Sequence, residues 1–199
     1  GGQLQIVSGT TTIFDQSVAT VTAIVINGSD SADIVTLDSS VSGFGGAFTF
    51  NGNDAADSLD ATAISLGLTF NGGAGLDTFQ GGSGDDVVNG GLSNDSLSGN
   101  AGNDSIFGGG GADVLSGGLG NDRIAGEGGN DTISGGEGDD FLNGQSGSDV
   151  ITGGDGDDVL LGGGSIDNLN GGLGSDTVRG QGGADAVNGG GGGADVVQQ

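Results

Sequence analysis

The chain contains no cysteine, histidine, proline, methionine, tryptophan or tyrosine, and only 2 of its 199 residues are basic. Without cysteine no disulfide can staple a secreted fold, so rigidity must come from another source. Without histidine or cysteine, and with serine and threonine spread as surface decoration, no nucleophile and base can be paired, which argues against an enzyme. Zinc and iron lose their usual ligands for the same reason. Aromatic residues are 4 % of the chain, all of them phenylalanine, too few for a conventional globular core. Against 2 bases stand 27 acids, a net charge of −25. Nucleic acid and anionic membranes are therefore poor partners. No apolar run is long enough to insert into a membrane, and no positively charged leader opens the chain. So large a charge of one sign opposes compaction unless cations neutralise it.

What is abundant is glycine, 51 residues, and it is periodic. From Gly72 to Asn188 a nine-residue unit, G-G-x-G-x-D-x-U-x with U apolar, recurs thirteen times in register. Its sixth position is Asp77, Asp86, Asp95, Asp104, Asp113, Asp122, Asp131, Asp140, Asp149, Asp158, Asp167, Asp176 and Asp185, and Asp195 follows after one inserted glycine. Its eighth position runs Phe79, Val88, Leu97, Ile106, Leu115, Ile124, Ile133, Leu142, Ile151, Leu160, Leu169, Val178, Val187 and Val197. A disordered glycine-rich linker has no reason to keep an oily residue at every ninth place.

The unit spells a short strand with one inward side chain, followed by a glycine-rich turn. Two units close one coil, so strands alternate between two sheets and the turns fall in two lanes. The first lane holds Asp77, Asp95, Asp113, Asp131, Asp149, Asp167 and Asp185; the second holds Asp86, Asp104, Asp122, Asp140, Asp158, Asp176 and Asp195. No coil can bury its oily residues alone, so coils must stack. The predicted fold is all-β, a parallel β-roll or β-helix solenoid with two short parallel sheets and 18-residue coils.

Residues 1–70 are read as the same solenoid with longer, irregular coils, and 71–199 as the regular roll, with a separate β domain at 1–70 as the alternative. Asn-Gly recurs at Asn27, Asn51, Asn71 and Asn89, each followed six residues on by Asp33, Asp57, Asp77 and Asp95. The step shrinks from 24 to 20 to 18, so the first lane is expected to run back through the early coils. Phe14, Phe44, Phe48, Phe50 and Phe70 predict a thicker core there.

Over residues 72–198 this pattern resembles the RTX (repeat-in-toxin) calcium-binding β-roll. The resemblance implies calcium ions held between successive loops of one lane, ligated by glycine-turn carbonyls and by the fourteen sixth-position aspartates named above. Calcium wants six to eight oxygens in flexible geometry, which such loops can supply. Each lane of seven loops has six gaps, so the two lanes would hold about twelve ions, whose charge nearly cancels that of the chain. Calcium is therefore expected to act as the folding switch. Asp33 and Asp57 lack the glycine context and are expected to close turns. Asp85, Asp139, Asp155, Asp157, Glu127 and Glu137 are expected to be solvated loop charges. Ser93 and Ser165 replace the fourth glycine, and their sites are expected to be weakest; Asn100, Glu127, Gln145 and Gln181 replace the second.

Positions seven and nine point outward. On one sheet they are mostly Ser, Thr and Asn; on the other they include Phe107, Phe141, Val159 and Leu161 with both bases, Arg123 and Arg179. Phe141, Val159 and Leu161 are expected to form an exposed apolar patch fit for contact with further copies. The open ends of the stack also invite end-to-end pairing. Together these features point to a secreted, bacterial-type extracellular or cell-surface structural protein that stiffens on calcium and assembles into a fibre, surface layer or matrix. The alternative is an accessory module of a larger secreted toxin, protease, epimerase or adhesin. An ice-binding rod would need a more regular polar face than this one.

Overall fold

The computed structural model describes residues 23–37, 39 and 44–199, and over them the chain is a parallel solenoid of two sheets. Strands alternate between a 10-stranded sheet opening with Ala23–Asn27 and a 9-stranded sheet opening with Ile34–Thr36. Parallel neighbours need a crossover. Here the crossover is simply the strand of the opposite sheet with its two turns, so each strand pairs with the one a full coil later. In the repeats that partner lies 18 residues on, as where Leu115 pairs with Ile133 and Ile133 with Ile151.

The apolar eighth residue of each unit points into the narrow interior. From Phe79 to Val178 these side chains are exposed by no more than 1 %. Stacked Leu, Ile and Val of adjoining coils form one continuous cluster. At the C-terminal end the coverage lapses, with Val187 partly buried and Val197 44 % exposed.

The early coils are longer, as the spacing predicts: the first lane steps 24 residues from Asp33 to Asp57 and 20 from Asp57 to Asp77. All the extra length lies on the second-lane side. There Leu37, Phe44, Ala61 and Ile64 turn inward and are buried, filling with hydrocarbon the place that glycine loops occupy further along. Beside them Phe50 stacks on Phe70 at 5.6 Å and Phe70 tilts on Phe79 at 5.2 Å, with Phe48 also buried. Phe14 lies outside the described residues. The asparagines of the Asn-Gly pairs do more than start turns. Their amides form an outer-face ladder, Asn51 Nδ2 donating to Asn27 Oδ1 at 2.7 Å, Asn71 to Asn51 at 2.8 Å and Asn89 to Asn71 at 2.9 Å. Phe107, the next residue in register, ends it.

Candidate metal centre

Each lane is held by its aspartates. The backbone N–H of one sixth-position aspartate donates to Oδ1 of the aspartate one coil later: Asp77 to Asp95 at 2.8 Å, Asp95 to Asp113 at 2.7 Å, Asp104 to Asp122 at 2.7 Å and Asp122 to Asp140 at 2.8 Å. The same bond continues through both lanes to Asp167–Asp185 and Asp176–Asp195. One carboxylate oxygen is thus fixed. The glycines set the other. The first glycine of each unit sits where strand pairing is interrupted, Ser116 pairing with Ser134 and Gly118 with Gly136 while Gly117 is passed over. A Cβ on Gly72 would strike both Asp77 Oδ2 and the Gly90 carbonyl oxygen. Those two oxygens therefore crowd one glycine from two successive coils. Outside the unit that opens at Gly81, positions two and four take positive φ, Gly136 at 128° and Gly138 at 122°, a region that glycine enters freely.

Oδ2 of Asp57, Asp77, Asp86, Asp95, Asp104, Asp113, Asp122, Asp131, Asp140, Asp149, Asp158, Asp167, Asp176 and Asp185 is buried and receives no hydrogen bond. A buried carboxylate oxygen without a donor is costly, and a ladder of them is a ladder of sites that call for a cation. Loss of hydration raises the acids of this row from Asp57 to Asp176, with the N–H bond to Oδ1 opposing: Asp86, Asp95 and Asp140 are pushed up to about 7, and Asp104, Asp122, Asp131 and Asp158 to about 6. Neighbouring carboxylates in the same lane add to the rise, Asp104 on Asp86 and Asp158 on Asp140 among them. Among the described residues no three acidic side chains converge on one point. A cation here would need backbone carbonyls to complete its shell, and an all-oxygen set of carboxylate plus carbonyl suits a hard ion such as calcium.

The model of the RTX calcium-binding nonapeptide repeat matches six overlapping stretches that together run from residue 69 to 197, well over half of the chain. The chain belongs to the RTX calcium-binding repeat family. No curated protein matches it. RTX repeats bind calcium, so the roll is a calcium-binding β-roll.

Thirteen of the fourteen expected aspartates, Asp77 to Asp185, share the buried setting. Asp195 does not, being half-buried behind the extra glycine of the last loop, although its Oδ1 still accepts the Asp176 N–H at 3.1 Å. Asp57 takes its place in the set. It was expected only to close a turn, yet it is 1 % exposed, its Oδ2 is unpaired, and burial pushes it up to about 6. The signal was present in degenerate form: Gly52 stands five residues before it and Leu59 two after, as Gly72 and Phe79 flank Asp77. Asn53 and Ala55 there take φ of 79° and 78°, reproducing the RTX turn without glycine. Asp33 does close a turn, its Oδ2 accepting the Ser29 N–H at 2.7 Å.

The other departures bend to the same backbone. Ser93, Asn100, Glu127, Gln145, Ser165 and Gln181 all hold positive φ, between 69° and 87°. Asp85, Asp139 and Asp157 are exposed as expected, but they are not merely solvated, since each Oδ1 accepts a backbone N–H from the next coil of its lane. On the outer face of the larger sheet Phe141 pairs with Val159 in register, and Leu161 lies on the same strand as Val159. All three are half-buried, and the Arg123 guanidinium lies 4.6 Å over the Phe141 ring. More fully exposed apolar residues, Val114 at 55 % and Val150 at 46 %, lie on the opposite sheet.

Proposed function

We propose that this chain is a secreted structural rod, assembled into filaments or layers, whose roll becomes stiff when calcium fills both lanes. Each ion lies between successive loops of one lane and takes the free Oδ2 of a sixth-position aspartate, with turn carbonyls supplying the rest of its shell. Asp57 and the run from Asp77 to Asp185 serve as ligands, Asp195 binds more weakly, and the gaps accommodate about twelve ions. The observation that carries this reading is the row of fourteen buried carboxylate oxygens that no protein donor satisfies. Two classes of support stand beside it: an RTX match along the roll, and a charge of −25 that divalent ions offset.

We take the role to be mechanical and non-catalytic, with the described residues before 71 continuing the same solenoid. Extracellular modules bind calcium at about 10⁻⁴ to 10⁻³ M, far above cytosolic levels, so the chain would fold after export. Metal analysis of dialysed protein together with far-ultraviolet circular dichroism tests the core claim. Calcium should restore the larger part of the β signal, which a chelator removes from the repeats, at about a dozen ions per chain. A roll equally folded in chelator would sink it. Electron microscopy in millimolar calcium separates the two candidates: ordered filaments support self-assembly, and monodisperse rods support an accessory module of a longer secreted protein.

A further inference from the structure

The two lanes are not equivalent. Within the repeats, acids other than the sixth-position aspartates number six, and five of them, Asp85, Glu137, Asp139, Asp155 and Asp157, lie in second-lane loops; only Glu127 lies in the first. Glu137 and Asp155 are register partners, so with Asp139 and Asp157 they place four exposed carboxylates on two adjoining loops, next to the buried Asp140 and Asp158.

A second difference is in how the loops are tied. In the second lane, fifth-position side chains make their own unbroken ladder: Asp85 Oδ1 accepts the Asn103 N–H at 2.7 Å, Asn103 that of Asn121 at 2.9 Å, Asn121 that of Asp139 at 3.0 Å, Asp139 that of Asp157 at 2.9 Å and Asp157 that of Ser175 at 2.8 Å. It runs opposite to the sixth-position ladder, so each loop is stitched to both neighbours twice. The first lane carries isolated rungs only, Asn94 to Ala112 and Asn130 to Ser148, because Leu76, Ala112, Ser148 and Ile166 interrupt it.

A third is backbone strain. Among the described residues eight non-glycine residues hold positive φ, and seven of them, Asn53, Ala55, Ser93, Glu127, Gln145, Ser165 and Gln181, belong to first-lane loops; Asn100 alone belongs to the second. Side chains there resist the left-handed region that the turn demands.

Calcium affinity rises with the negative charge around a site and with the rigidity of its loop. All three differences act in one direction. Resting on the calcium reading above, we propose that the chain has two classes of calcium site, a tight second lane that fills first and a looser first lane whose filling completes the rod. Loading is thereby split into two stages along the two edges of one molecule, and over an intermediate calcium range the roll is ordered on one edge only.

Calorimetric titration of the full-length chain with calcium chloride at low ionic strength tests this. Two resolved phases are expected, the tighter one more sensitive to added salt. E137Q/D155N removes two charges and no ladder hydrogen bond, and D139N/D157N leaves amides that can accept as Asn103 and Asn121 do. Combined, the four changes should weaken the tight phase about tenfold and leave the loose phase in place. S93G/S165G should instead tighten the loose phase several-fold, because glycine meets the left-handed turn without strain. E127Q should move neither by much. A single uniform class in the unaltered chain, or a tight phase indifferent to the second-lane changes, overturns the inference. Failure to take up calcium at all overturns the reading beneath it.

Discussion

Residues 23–80 and 81–185 wind the same way and are held together by different means. The first segment buries twelve apolar side chains, five of them phenylalanine, against two unpaired carboxylate oxygens, those of Asp57 and Asp77. The second buries eleven apolar side chains, none aromatic, against twelve such oxygens. A solenoid coil can therefore be closed with hydrocarbon or with ions, and this chain changes from one to the other within a single pair of sheets. The change happens where Leu68, 2 % exposed, gives its N–H to Asp86 Oδ1 at 2.8 Å. There the second lane's apolar filling ends and its carboxylates begin.

The contrast is broken most directly by removing calcium. In chelator, hydrogen exchange should become fast across the strands from Val87 to Gly182 while Phe48, Phe50 and Phe70 and their neighbours keep protected amides; uniform loss, or uniform retention, would show that the two segments are not distinct. Acid should imitate the metal. The second segment's sixth-position aspartates from Asp86 to Asp176 are raised above their unfolded value near 3.9, so protonation stabilises the metal-free roll fully below that value and the effect is lost as pH climbs through about 6 to 7. Metal-free chain is accordingly expected to gain β signal as pH falls from 8 to 4, and saturating calcium should remove that dependence. A flat profile without calcium would count against the burial of these groups.

Side-chain truncation sharpens the comparison at smaller scale. Phe70→Ala should cost about 3–5 kcal/mol in thermal or denaturant unfolding whether or not calcium is present. Leu142→Ala should cost about 2–5 kcal/mol, visible only when calcium has formed the roll it belongs to. Smallest of all, Gln145→Gly should raise stability by about 1 kcal/mol, since Gln145 holds φ of 69°; Gln145→Ala, which keeps the strain, should give no gain.

Much of this was legible before the structure, because a period of nine fixes which residue faces inward and which turn follows it. The two sheets, the alternation of lanes and the inward row from Phe79 to Val178 follow from that phase alone. The burial of Asp57 escaped because Asn53 and Ala55 build its turn where the repeats have glycine; asparagine enters the left-handed region readily, but alanine rarely does, so the motif shows only in degenerate form. The lesser burial of Asp195 was not legible, since burial depends on a covering coil, which no local pattern reports. The fifth-position ladder was hidden for a similar reason: a hydrogen bond between residues 18 apart is invisible to a reading of single loops. Conversely, the apolar patch at Phe141 was legible as a place, and its half-burial beneath Arg123 was not, since that shielding depends on the neighbouring strand.

The aspartate ladder also has a direction. Each coil leaves an N–H that only the carboxylate of the following coil satisfies, as Asp131 waits for Asp149 and Asp149 for Asp167. A chain emerging amino end first would thus finish every turn by adding the next, like courses of brick each seated by the one laid on top. Growth in the reverse order would leave each carboxylate Oδ1 waiting for an N–H from the coil before it.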